Sequence, residues 1–252
     1  MLSMQFEIQF IGHRSIAASL LRKYFDKDIL VTDDTISVSD TSMRDWSISY
    51  CNDISLNQND SGHFATHNVL VTPFLDLSDY NDMLLMHDVL LLFRMSEKLS
   101  VDHNCAMHIN IAAPIDQRKL SLYFEEYVKC QYDQIHMFHT TVSGPWGVAK
   151  PYKYDVCGYE LDDIHDILLV ILANYATPYD ADFEFANHFA LNFARVITDD
   201  QVQFRAFNSS FDDAYVMLAA SWVDQFVCHC DRVWDNGWRQ TYEQLRQIYT
   251  KV

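Results

Sequence analysis

Asp199–Val227 reads DDQVQFRAFNSSFDDAYVMLAASWVDQFV, and a change of period inside this stretch sets the fold class. Its first half alternates, with Val202, Phe204 and Ala206 pointing one way and Gln203, Arg205 and Phe207 the other. That is the period of a strand with one apolar and one polar face. Asn208, Ser209 and Ser210 interrupt it. Phe211, Tyr215, Leu218, Ala219, Trp222 and Phe226 then recur at helical spacing. Asp212 and Asp213 fall in the first turn of that helix, where negative charge suits the dipole. A strand presenting Gln203 and Arg205 and running directly into a buried helix is a rigid platform for a site.

The same two periods recur upstream. Met4–Ile11 (MQFEIQFI) alternates, with Phe6, Ile8 and Phe10 on one face and Glu7 and Gln9 on the other. A helix is expected from a Ser15 cap to Phe25, with Ile16, Leu20, Leu21 and Tyr24 inward. Trp46–Tyr50 and Asn68–Thr72 read as strands, the second stopped by Pro73. A helix is expected from Ser78 or Asp79 to Lys98, burying Met83, Leu84, Val89, Leu90 and Leu91. Cys105–Ala112 reads as a strand that puts His108 and Asn110 on one face, and Asp116–Cys130 as an amphipathic helix. The segment 131–159 shows no regular period. Asp162–Tyr175 and Arg239–Tyr249 read as helices, and Asn192–Ile197 as a strand pairing with Val202–Phe207 across Thr198–Asp200. These elements sum to one α+β domain over residues 1–252.

Composition narrows the function. The chain has 252 residues, 49% of them hydrophobic, with only six glycines, as a globular protein with a sizeable core would. A net charge of −17 argues against a nucleic-acid backbone as partner, because affinity there comes from Lys and Arg. The longest apolar runs, such as Ile167–Leu172, are too short to span a bilayer, and no membrane partner is expected. MLSMQFEIQFIGHRS has neither the basic start nor the apolar stretch of a secretion signal. A cytoplasmic setting follows as the expectation, with the six cysteines reduced.

Several of these stretches, in this order, resemble the amidoligases, carboxylate–amine ligases with a glutamine-synthetase-like catalytic fold. The family's opening Glu-x-Glu strand is similar to Glu7-Ile8-Gln9. Its Trp strand and Asp-Gly-Ser-Leu resemble Trp46 and Asp53-Ile54-Ser55-Leu56. Its Glu-Leu-Val-Thr-Pro resembles Val69-Leu70-Val71-Thr72-Pro73. Its Gly-x-His-x-His resembles Ala106-Met107-His108-Ile109-Asn110, and its closing Glu-Phe-Arg resembles Gln203-Phe204-Arg205.

The resemblance implies a curved, mostly antiparallel sheet whose concave face holds ATP and Mg²⁺. A substrate carboxylate would be phosphorylated there and then joined to an amine, on a small molecule, peptide or protein side chain. It implies metal ligation by Glu7, His108 and Gln203, with Arg205 on phosphate as the catalytic cation and Asn110 beside it in cofactor binding. Oxygen ligands on rigid strands and a bidentate Arg suit metal-bridged phosphates. The departures point elsewhere. Gln9, Val69 and Gln203 stand where the family has Glu, and Asn110 where it has His. Phosphoryl transfer leans on metal charge, so this pattern also fits a pseudoenzyme that keeps the fold as a binding or structural module for a protein partner. Family members are often encoded by phages and bacteria. From the residues alone, His108 reads as a satisfied core histidine, and Glu7 as an inner-face acid paired with Arg205; the resemblance sets metal ligation beside that reading. Cys228-His229-Cys230 lacks the second ligand pair of a zinc site and reads as core cysteines in a helix. His136 and His139, near Lys150 and Tyr152, read as part of an aromatic loop.

Overall fold

A computed structural model describes residues 2–32, 34–50, 67–102, 105–114, 116, 118–138 and 190–238. The helices expected over Asp162–Tyr175 and Arg239–Tyr249, the Asp53–Leu56 motif, and His139, Lys150 and Tyr152 lie outside the described residues.

The elements in chain order are β1 (Ser3–Ile11), α1 (Arg14–Phe25), β2 (Ile29–Val31), β3 (Thr35–Ser39), β4 (Asp45–Tyr50), β5 (His67–Val71), β6 (Leu75–Asp76) and α2 (Tyr80–Arg94). There follow β7 (Ala106–Ala112), α3 (Arg118–Met137), β8 (Leu191–Asn192), α4 (Ala194–Asp199), β9 (Gln201–Asn208) and α5 (Asp213–Val233), which runs into a π-helical turn over Trp234–Trp238. The strands form one sheet in the order β2-β3-β4-β5-β1-β7-β9-β8, with β6 also paired to β1. Every pairing is antiparallel. This is a mixed α+β architecture on an antiparallel sheet.

β1 is central because both its edges are paired and one face is wholly apolar. Met4, Phe6, Ile8 and Phe10 are completely buried, while Gln5, Glu7 and Gln9 alternate to the other face. Its register sets Glu7 between Val71 of β5 and His108 of β7, and Gln9 opposite Val69. The β5–β6 line beside β1 breaks at Pro73, which has no N–H for the ladder. Thr72 bridges the break: its N–H donates to the Phe6 carbonyl at 2.9 Å, and its hydroxyl accepts the Phe6 N–H at 2.9 Å.

Helices cover the apolar face. Phe10 meets Phe93 of α2 edge to face at 5.6 Å, and Phe25 of α1 lies 5.7 Å from Trp46. Phe204 sits among Tyr127 of α3 and Trp222 and Phe226 of α5. Among the described residues, no helix is long and apolar enough to cross a membrane.

Several expectations shift by a turn or a face. His13, not Ser15, caps α1, its side chain accepting the Ser15 N–H. Asp79 caps α2 through the Asn81 and Asp82 N–H groups, and this helix stops at Arg94 rather than Lys98. Its buried stripe is Met86, Val89, Leu90 and Phe93, the i, i+3, i+4, i+7 set, so Leu84 and Leu91 are exposed. Leu218 of α5 is likewise exposed, and Val216, Val223 and Val227 are buried in addition to Ala219 and Phe226. Tyr24 is exposed, its hydroxyl donating to Asp88 at 2.7 Å. The helix that begins near Asp116 continues past Cys130 to Met137, placing 131–137 and His136 in regular structure. Asn192–Ile197 is not a strand: only Leu191–Asn192 pairs with β9, and Ala194–Asp199 is helical. The helix ends at Asp200, in the left-handed region at φ 53°.

The alternation of β9 is also reset. Met107 pairs with Phe207 and Ile109 with Phe204, so Arg205 and Ala206 together oppose the single residue His108. This β-bulge turns Phe207 to the helix side with Phe204, 4.9 Å from the Phe138 ring and 6.5 Å from Trp222. A core placement predicts that Phe207→Ala destabilises the fold by about 3–5 kcal/mol in urea denaturation; on the polar face the same change would cost little.

Candidate functional site

The polar face is organised around one carboxylate. Glu7 sits at the middle of β1, where neighbouring strands bring His108, Asn110 and Gln203 alongside. Glu7 Oε2 accepts from His108 Nδ1 at 3.1 Å and from Gln203 Nε2 at 3.2 Å. Glu7 Oε1 accepts from Asn110 Nδ2 at 2.8 Å and forms a salt bridge with Arg195 Nη1. Both carboxylate oxygens are therefore fully engaged. Asn110 also donates to Gln5 Oε1 at 3.2 Å.

The next layer fixes how these groups point. Gln203 Oε1 accepts from Arg205 Nη1 and from Asn192 Nδ2, each at 3.2 Å. The reverse amide orientation would set its NH₂ against the guanidinium, so Gln203 turns its NH₂, not its carbonyl, toward Glu7. Arg195 is held from behind by Asp199, at 2.8 Å from its Nε. His108, Asn110, Asn192, Gln203 and Arg205 are all at most 7% exposed, so this is a buried polar network and not a solvated surface.

The electrostatics follow from that burial. Desolvation alone would raise the Glu7 pKa. The hydrogen bond and charge of His108, the charge of Arg195 and the Asn110 hydrogen bond outweigh it, and hold the carboxyl well below the usual carboxylate range. Arg195 is pushed the opposite way: burial would lower its pKa, but the charges and hydrogen bonds of Glu7 and Asp199 raise it.

The structure thus brings Glu7, His108, Asn110 and Gln203 together, with Arg205 reaching them through Gln203. The cation on Glu7 is Arg195, not Arg205. A strand over NFARVI would not bring Arg195 to Glu7; the helix over Ala194–Asp199 does. The Arg195-to-Asp199 interval, an i, i+4 ion pair on a helix, was the available signal.

These residues do not fit two metal ions bridging nucleotide phosphates. Such a site needs several anionic oxygens around each cation. Glu7 is occupied by four donors, one of them a guanidinium. Gln203 faces it with its NH₂. Gln9 spends its carbonyl oxygen on the Ala106 N–H at 2.8 Å, and Val69 has no ligand atom.

The Cys228-His229-Cys230 run is split by helical geometry. Cys230 is fully buried, its thiol pushed up by burial and by Glu126, Cys130 and Asp231, whereas Cys228 is exposed. His229 pairs with Glu126 at 2.9 Å. The reading of both as core cysteines holds for Cys230 alone. The chain matches no protein-family model, and no curated protein sequence matches it.

Glu7 gives the fold an acid-sensitive component. Its folded-state pKa is depressed, so its stabilisation is complete above the unfolded-chain value of about 4.3 and is lost as pH falls below it. Glu7→Gln leaves Arg195 and His108 facing a neutral amide and is expected to cost about 2–4 kcal/mol near neutral pH. The gap between variant and parent should close in acid, as read by urea denaturation across the pH range.

Proposed function

We propose that this chain is a non-catalytic relative of the amidoligases, a binding or structural module built on a glutamine-synthetase-like sheet, whose work is done by association with a protein or peptide partner. The observation that carries this reading is the saturated Glu7 carboxylate. At the position where the resemblance calls for a metal ligand, four protein donors already satisfy both oxygens. What was a metal centre in the ligases acts in this reading as a buried cross-link between β1, β7, β9 and α4. The strongly acidic balance of the chain suits a partner with a basic surface.

The competing reading, an ATP-dependent ligase with a weakened metal site, makes the opposite prediction for the same residues. Calorimetric titration with ATP in the presence and absence of Mg²⁺ is expected to show no Mg²⁺-dependent binding. Saturable Mg²⁺-dependent binding that disappears in Glu7→Gln would overturn the non-catalytic reading. Gln203→Glu sharpens the test. It puts a second carboxylate against Glu7 in a buried network, so it is expected to lower the melting temperature and to create no Mg²⁺ affinity. A weakened ligase would instead gain metal affinity from the added charge.

A further inference from the structure

A second cluster stands at the far end of the sheet, where β1 leaves it. His67 opens β5 and pairs with Ile11, the last residue of β1. Asp102 and Cys105 lie just before β7. Ile11 exchanges two backbone hydrogen bonds with Ser100, at 2.8 and 3.0 Å. The Cys105 N–H donates to the Asp102 carbonyl at 3.1 Å, and the Ser209 N–H to the Cys105 carbonyl at 2.9 Å. The backbone therefore fixes all three residues relative to one another. Ile11 is four residues along β1 from Glu7, about 13 Å, so this cluster is separate from the carboxylate network.

Three observations single it out. One donor atom each from His67, Asp102 and Cys105 lies within 4.8 Å of the others. Cys105 is completely buried yet stands outside the contiguous apolar core that takes in Cys230. Nε2 of His67 is buried and has no hydrogen-bond partner among the described residues, and a buried polar atom of that kind calls for an explanation.

We propose that His67, Asp102 and Cys105 form a three-ligand site for a borderline divalent cation of the zinc type. A thiolate, an imidazole and a carboxylate are the donors such an ion prefers, whereas Mg²⁺ and Ca²⁺ want oxygen alone. Zinc binds nitrogen at about 2.0 Å and sulfur at about 2.3 Å, so ligand atoms around one ion stand roughly 3.5 Å apart. The three donor atoms, now within 4.8 Å of one another, have to draw about an ångström closer to reach that spacing. A thiolate and a carboxylate balance the double charge, so the ion adds no net charge beside the buried Cys105. Three protein ligands leave a fourth position for water or for a donor from a partner. The ion would tie β5 to the loop entering β7, and the thiol proton would be released as it binds.

The test uses the full chain stripped with a chelator, then titrated with Zn²⁺ alone against a background of Mg²⁺. Stoichiometric Zn²⁺ binding is expected, and Co²⁺ in its place should give the intense near-ultraviolet sulfur-to-metal band of a thiolate ligand. Cys105→Ser should abolish that band. His67→Ala should weaken Zn²⁺ binding by at least about a hundredfold, more than the loss of an outer-shell partner brings. Cys228→Ser, at an exposed cysteine on α5, should change neither. Circular dichroism of each apo variant confirms that it folds. If Cys105→Ser does not fold, protection of Cys105 from alkylation by Zn²⁺ in the parent, lost in His67→Ala, takes its place. The absence of Zn²⁺ binding would overturn the proposal, as would a Co²⁺ band that survives Cys105→Ser or vanishes with Cys228→Ser. Metal-independent reactivity of Cys105 would mark the trio as a thiol–imidazole–carboxylate nucleophile instead.

Discussion

A carboxylate in the middle of a central strand has to be compensated where it stands. The Glu7 side chain is only 15% exposed, and an uncompensated buried charge costs several kcal/mol. The sheet solves this with three side chains from two other strands and a guanidinium from a short helix. Strand order, the register of β1 against β7, and the placement of α4 are all tied to that one charge. Removing it would leave Arg195 and His108 facing each other with no anion between them.

Two backbone irregularities aim the network. The bulge at Arg205 and Ala206 adds a residue opposite His108. It lets Gln203 and Arg205 stay on the polar face while Phe207 returns to the core. Regular alternation would have left Phe207 among buried polar groups. The early end of β8 is the other device. Because pairing stops at Asn192 and the chain turns helical at Ala194, Arg195 swings over the sheet face instead of lying along its edge.

The sheet therefore carries two centres of different chemistry. Around Glu7 three of the four donors are amide or guanidinium groups, and together they saturate the carboxylate. Around His67, Asp102 and Cys105 they are softer, and Nε2 of His67 has no hydrogen-bond partner among the described residues. A carboxylate saturated by protein donors has structural value and little appetite for a cation. A thiol, an imidazole and a carboxylate within reach of a single ion have the reverse. If the chain retains a binding chemistry of its own, the end of the sheet is better equipped for it than the middle.

Period and punctuation in the sequence were enough to establish the α+β class, the apolar face of β1, the strands carrying His108 and Gln203, and the start of α5 at Asp212 and Asp213. These depend on local alternation and capping, which are encoded within a few residues. Which leucines of α2 and α5 lie inward was decided by the helices' rotation on the sheet, to which a broadly apolar sequence is indifferent. The partner of Glu7 was beyond the sequence for a sharper reason. Arg195 and Glu7 are separated by 188 residues, and only the bulge, the short β8 and the helical turn of α4 bring them together. The gathering of His67, Asp102 and Cys105 has the same origin: it exists because β1, β5 and β7 are neighbours in the sheet, and tertiary pairing alone makes them so.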